Sequence, residues 1–206
     1  MLSRVARRIY WMARYIERAE NTARLVNTFN FLLLDLPRGT RISWEILPVI
    51  TGSYAIFNER YQRHDERNTV KFLLADNSNP ASLIHSIAVA RENCRTSREV
   101  LPGHAWEQLN ELKLYADARI NDALPRRGRF SILTEIIHRC QQLTGLLAGT
   151  MTHDHAYDFI RIGRNLERAD MITRMIDVGS ATLIAPGLEL ERLENRLWTY
   201  VLRSLS

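Results

Sequence analysis

Apolar residues recur along this chain at intervals of three and four in long blocks, and strict alternation is never sustained long enough to make a convincing strand. The first block is the clearest. Ile9, Met12, Ile16, Ala19, Ala23 and Val26 share one side of a helical wheel, while Arg14, Glu17, Arg18, Asn21 and Arg24 share another. Ser3 is placed to cap this helix, which the pattern carries to about Leu36, where Pro37, Arg38 and Gly39 stop it. Residues 43 to 61 read as a second helix with Pro48 near its first turns, and Asp65 caps a short third through Phe72, Leu73 and Leu74. Asn79 as N-cap and Pro80 at the first helical position open a fourth, which runs to Leu101. A fifth covers 104 to 124, a basic turn covers 125 to 129, and Ser131 caps a sixth that reaches about Thr152. The seventh spans 154 to 178. An eighth begins near Leu188, and its apolar positions Leu190, Leu193, Leu197, Val201 and Leu205 still repeat at Ser206, so a further C-terminal segment is expected. The expected fold class is all-α: one domain over residues 1–206, a bundle of about eight helices.

The charged side of the first helix occurs twice. Arg14, Glu17, Arg18, Ala19 and Arg24 return as Arg164, Glu167, Arg168, Ala169 and Arg174, each displaced by 150 positions with no gap. Ile16/Leu166, Glu20/Asp170 and Leu25/Met175 differ conservatively within the same stretch. Opposite the second stripe lie Ile162, Leu166, Ala169, Thr173 and Ile176, which suggests a second amphipathic helix with the same two faces. A solvated face could interchange Lys, Gln and Glu freely; here one acid and three arginines keep their offsets. Spacing alone admits ordinary surface pairs, but the repetition predicts a pseudo-symmetric structure in which the two helices approach each other.

Composition narrows the chemistry. The 206 residues carry a net charge of +5, and of the 28 basic residues only Lys71 and Lys113 are lysines. Arginine's planar fork recognises carboxylate and phosphate, so an acidic small ligand or acidic peptide is the expected partner. Nucleic acid is disfavoured because the arginines are interspersed with glutamates and no recognised binding module is present. A third arginine stripe, Arg91, Arg95 and Arg98, falls in the fourth helix beside Glu92 and Glu99. Cys94 and Cys140 lack CxxC spacing and read as buried thiols. No apolar run approaches the ~20 residues that span a bilayer, and no leader peptide is evident, so a cytoplasmic location without membrane contact is the default expectation.

Recognised catalytic and cofactor patterns do not fit. Glu135 and His138 form one Glu-x-x-His unit of a helical di-metal site, but the second is missing, and His153, Asp154 and His155 sit where a helix starts. Neither metal nor cofactor is expected. Phosphate-loop, nucleophile-elbow and dinucleotide fingerprints are absent, leaving catalysis unsupported. Trp44, Trp106 and Trp198 fall in amphipathic patterns and are expected in the core, whereas Trp11, beside Tyr10 and Tyr15, could serve a contact surface.

The opening residues from Met1 through Arg24, with Glu17 and Arg18 at their centre, the stretch from Asn79 to Arg95, and Gly163 to Asp170 closely resemble the bacterial alpha-E family, a helical domain with a Glu-Arg motif. Cys94 departs from the alanine of that pattern, a change that touches packing more than chemistry. The family's genes tend to lie beside, or be fused to, a circularly permuted ATP-grasp ligase and near transglutaminase-like peptidases. The resemblance therefore implies a role in peptide synthesis or modification, with an ATP-grasp-type ligase as partner, but no established activity. Two readings follow. In the favoured one the chain is a non-catalytic binding protein whose ligand contacts come from Arg14, Glu17, Arg18, Arg24, Arg91, Arg95, Arg164, Glu167, Arg168 and Arg174. In the other it is an enzyme of the same pathway that uses Glu17 or Glu167 as acid or base. A purely structural Glu-Arg network remains as a third.

Overall fold

A computed structural model describes residues 2–35, 43–183, 199, 200 and 202. Among them there is no strand. The helices are α1 (Ser3–Asp35), α2 (Ile46–Ile50), α3 (Tyr54–Arg60), α4 (Glu66–Leu74), α5 (Leu83–Arg95), α6 (Gly103–Arg119), α7 (Arg126–Thr150) and α8 (His155–Leu183), with 3-10 turns at Arg98–Val100 and Ile120–Ala123. None is long and apolar enough to cross a membrane.

The first helix is the axle of the bundle, enclosed by α5, α7 and α8. Its apolar side, Ile9, Met12, Ile16, Ala19, Ala23 and Val26, is buried throughout and joins Leu83, Ile84, Ile87, Ala90 and Cys94 of α5 in the core. Full burial of each large apolar side chain contributes about 1.5 to 3 kcal/mol, so this contact is a principal source of stability. Arg8 fixes its polarity: Nη1 donates to the Thr96 carbonyl, 3.0 Å away at the C-terminal end of α5, so α5 runs antiparallel to α1. Cys94 and Cys140 are both buried free thiols, and burial pushes the Cys94 thiol up to about 11.

Several elements differ from the sequence pattern for identifiable reasons. The helix expected over 43 to 61 is broken in two, because Gly52 takes a positive φ of 67° between α2 and α3. Asn79 does not cap α5. Its amide donates to the Phe72 carbonyl and its Oδ1 accepts from the Ala81 amide, which folds a turn that delivers Ser82 as the N-cap. The expected basic turn at 125 to 129 is already helical, since α7 starts at Arg126; Ser131 is inside the helix and donates to the Gly128 carbonyl. Asp65 and Asp154 do cap, accepting from the amides of Asn68, and of Ala156 and Tyr157, respectively. His155 is the first residue of α8. Trp44 is buried, while Trp106 is only half-buried under the guanidinium groups of Arg91 and Arg98. Trp198 and most of the expected eighth helix lie outside the described residues.

The Pro125 to Arg129 stretch holds the least expected core residue. Arg129 is fully enclosed, donating to the carbonyls of Ala123 and Leu124, to Asn30 Oδ1 at 3.3 Å and to Glu66 Oε1 at 2.9 Å, with its guanidinium 5.4 Å from the Trp44 ring centre. Burial alone would raise the Glu66 carboxyl, but hydrogen bonds from Arg126 and Arg129 outweigh it and hold the group below its usual value.

Candidate functional site

The repeated helices α1 and α8 lie side by side, parallel and in register. Near their N-terminal ends Ser3, Ala6 and Arg7 share a groove with His155 and Phe159; farther along, Arg18 and Thr22 share a cavity with Asp170 and Arg174. Residue n thus sits level with residue n + 150. Identical faces meeting in a parallel pair define a pseudo-two-fold axis running along the helices. On α8 the seam is Ala156, Ile160, Gly163, Glu167, Met171 and Met175, all buried at intervals of three and four.

At the centre of the seam two ion clusters cross. Glu17 receives Arg168 through Nε on Oε1 (2.7 Å) and Nη2 on Oε2 (3.3 Å), and Arg164 through Nε on Oε2 (3.2 Å). Glu167 receives Arg18 through Nε on Oε1 (2.5 Å) and Nη2 on Oε2 (3.0 Å), and Arg14 through Nε on Oε2 (2.6 Å). The arrangement is the same atom for atom. Both glutamates are 1 to 2 % exposed, and every carboxylate oxygen already accepts a guanidinium hydrogen bond. The arginines keep part of their surface in solvent. Burial alone would lower the affinity of Arg14 and Arg168 for their protons, and the facing carboxylates more than offset it.

Close approach is what lets these side chains reach. Gly163 lies against the backbone carbonyl of Tyr10, and a Cβ there would overlap it. Gly163→Ala should therefore push α8 away from α1 and lower stability by about 1 to 3 kcal/mol, as overpacking usually does. Urea denaturation showing an unchanged or increased stability would contradict this.

Only part of the sequence-predicted set converges here. Arg14, Glu17, Arg18, Arg164, Glu167 and Arg168 form the crossed clusters. Arg24 and Arg174 each turn back one helical turn on their own helix, to Glu20 (2.7 Å) and Asp170 (3.1 Å). Arg91 and Arg95 are on α5, apart from this pair; Arg91 bonds Asn110 and stacks on Trp106, and Arg95 pairs with Glu92 in solvent. One expectation is overturned. The apolar side of α8 is not a core face: Ile162, Leu166 and Ile176 are exposed, because α1 packs against α5 and α7 as well as α8 whereas α8 turns only its Glu167 side to the bundle.

The two flanks of the pair are unequal. On one, α7 covers Glu20 and Arg24, and Cys140 faces both Glu20 and Glu17. On the other, Asp170 and Arg174 stay partly exposed and, with Arg18, Thr22, Thr51, Ala81, Glu167 and Met171, line a cavity of about 140 Å³. Thr22, which sequence inspection passed over because threonine inside a helix carries no signal of its own, is one of the lining residues, and its buried hydroxyl has no hydrogen-bond partner. Gly52 is the other missed residue: its bare Cα lets the Arg174 guanidinium lie against the α2 turn, where a Cβ would overlap it.

No solved structure matches the chain. An uncharacterized protein of Mycobacterium bovis and two of Mycobacterium tuberculosis are each 24% identical to it over 213 aligned residues, covering 94% of this chain and 24% of theirs. The chain thus spans about a quarter of the length of those relatives. The family described as Alpha-E, a predicted alpha-helical domain with a conserved ER motif, matches residues 1–206 throughout. The Glu-Arg pairs at Glu17-Arg18 and Glu167-Arg168 are the two halves of the crossed cluster, and the chain belongs to the Alpha-E family.

Proposed function

We propose that this chain is a non-catalytic helical binding module that receives a carboxylate or phosphate group of a peptide-like ligand and works beside an ATP-grasp-type ligase. The observation that carries the reading is the Thr22 cavity. It is smaller than the ~300 to 1,000 Å³ typical of whole-ligand pockets and matches a single functional group. An unpaired buried hydroxyl, the Nη1 of Arg18 and the terminal nitrogens of Arg174 supply donors, none of which has a hydrogen-bond partner among the described residues. The remaining arginines of the two stripes serve the helix pair. Against the enzyme reading stands the saturation of Glu17 and Glu167, whose oxygens are occupied and screened from solvent. The ligase partnership rests on the family resemblance.

Thermal-shift and calorimetric titration with inorganic phosphate and with an acidic dipeptide tests the proposal. Binding should weaken roughly tenfold to a hundredfold in Arg174→Ala, in line with ~1.5 to 3 kcal/mol for a charge-assisted contact, and also fall in Thr22→Val. Arg174 is nearly half exposed, so its removal should leave folding intact. Absence of any anion response, or a response in both variants equal to that of wild type, overturns the assignment. Co-purification with the ligase tests the partnership separately.

A further inference from the structure

The pseudo-two-fold axis relates the two flanks of the α1–α8 pair, and near their N-terminal halves those flanks differ in one respect. On the first, the last turns of α7 fill the groove: Thr144 and Leu147 close over Ala13, Ile16, Tyr157 and Ile160, leaving about 40 Å³. On the second, an open groove of about 660 Å³ is walled by Tyr10, Trp11, Phe159 and Ile162, with Arg7 and Tyr10 standing where the offset of 150 puts the counterparts of Tyr157 and Ile160. The contrast in exposure decides the matter. Ile9 and Met12 are 0 and 1 % exposed, whereas Phe159 and Ile162, their counterparts on α8, are 37 and 54 % exposed. One flank therefore shows what its mate is shaped to hold, a helix with leucine-type side chains laid along the pair.

Charge selects the occupant. The α1 rim of the open groove carries Arg4 and Arg7, both exposed, and α1 has no acidic residue before Glu17. His155 stands on the α8 rim, and Asp158 lies on the outer side of that helix. We propose that this groove receives an acidic amphipathic helix of a partner protein, its leucine-type side chains on Trp11, Phe159 and Ile162 and its carboxylates toward Arg4 and Arg7. The inference goes beyond the anion-binding reading and does not depend on it, since the groove is lined by none of the Thr22 cavity's residues.

Three helix-constrained fluorescent peptides of roughly four turns test it: one with a leucine stripe flanked by Glu, one with the stripe flanked by Lys, and a Glu peptide with the stripe changed to Ser. Fluorescence anisotropy should show the Glu-flanked leucine peptide binding roughly tenfold more tightly than either control. The double substitution Arg4→Glu and Arg7→Glu should reverse the preference between the charged peptides, and Ile162→Glu should abolish leucine-dependent binding with an unchanged melting temperature. Equal binding of all three peptides, no binding of any, or an Ile162→Glu variant that binds normally would overturn the proposal. So would sedimentation showing a dimer that Ile162→Glu dissolves, which would assign the groove to a second copy of the chain. The phosphate response of wild type and Arg174→Ala is read in parallel, so that the two proposals fail separately.

Discussion

Glu167→Gln should lower the free energy of unfolding by about 3 to 5 kcal/mol, with a comparable loss for Glu17→Gln, because either change leaves two half-buried guanidinium groups facing an uncharged amide. The size of the side chain hardly changes, so the effect isolates charge. Arg14 and Arg18 converge on Glu167 within 2.5 to 3.0 Å, and Arg164 and Arg168 on Glu17 within 2.7 to 3.3 Å. The double variant should lose less than the sum of the two singles, since a helix pair already loosened on one side has less to lose on the other. Guanidinium denaturation monitored by circular dichroism gives all three values. Single losses within ~0.5 kcal/mol, the range of ordinary surface changes, would show that solvent compensates the arginines and that the clusters do not hold the pair together.

Arg129→Met should be about as damaging, although Met fills similar space. The substitution strips hydrogen bonds from the Ala123 and Leu124 carbonyls, removes the bond to Asn30 and leaves Glu66 with only Arg126. Each buried acceptor left unsatisfied costs about 1 to 3 kcal/mol, so a combined loss of roughly 3 to 5 kcal/mol is expected. Arg129→Lys should recover little, because a single ammonium cannot reproduce a planar fork that serves four acceptors at once. Equilibrium unfolding of both variants is the measurement. A Lys variant matching wild type would mean that positive charge alone matters at this position.

These two sites differ in how far the amino-acid sequence alone discloses them. The crossed clusters were legible because they are written twice: an acid and three arginines at fixed offsets imply a shared constraint, and a helix pair meeting through those faces satisfies it. Arg129 has no second copy. Within Pro125, Arg126, Arg127 and Gly128 it looks like one more solvated cation, and only the carbonyls turned inward at the end of the preceding 3-10 turn make it a core residue. The amphipathic pattern of α8 revealed an apolar face but not the absence of neighbours to cover it, since periodicity describes one helix and burial describes several. Likewise the contact between the Gly52 turn and Arg174, more than 100 residues away in sequence, has no local signal. The Thr22 cavity was illegible for the same reason: its walls come from α1, α8, the turn after α2 and the turn before α5.

The crossed clusters also impose an order of events on a nascent chain. Arg14 and Arg18 leave the ribosome 150 residues ahead of their counterparts on α8, an interval of roughly eight to thirty seconds at ordinary elongation rates. During that time Glu17 has no partner on α8, and α1 can rest only on α5 and α7 as each emerges. Closure across so long a separation raises the contact order, which slows folding, and leaves the charged seam of α1 facing water until α8 arrives. That seam presents Arg14, Glu17 and Arg18, the pattern that α8 itself brings, so until its own second half arrives it is complementary to the same stripe of another unfinished chain.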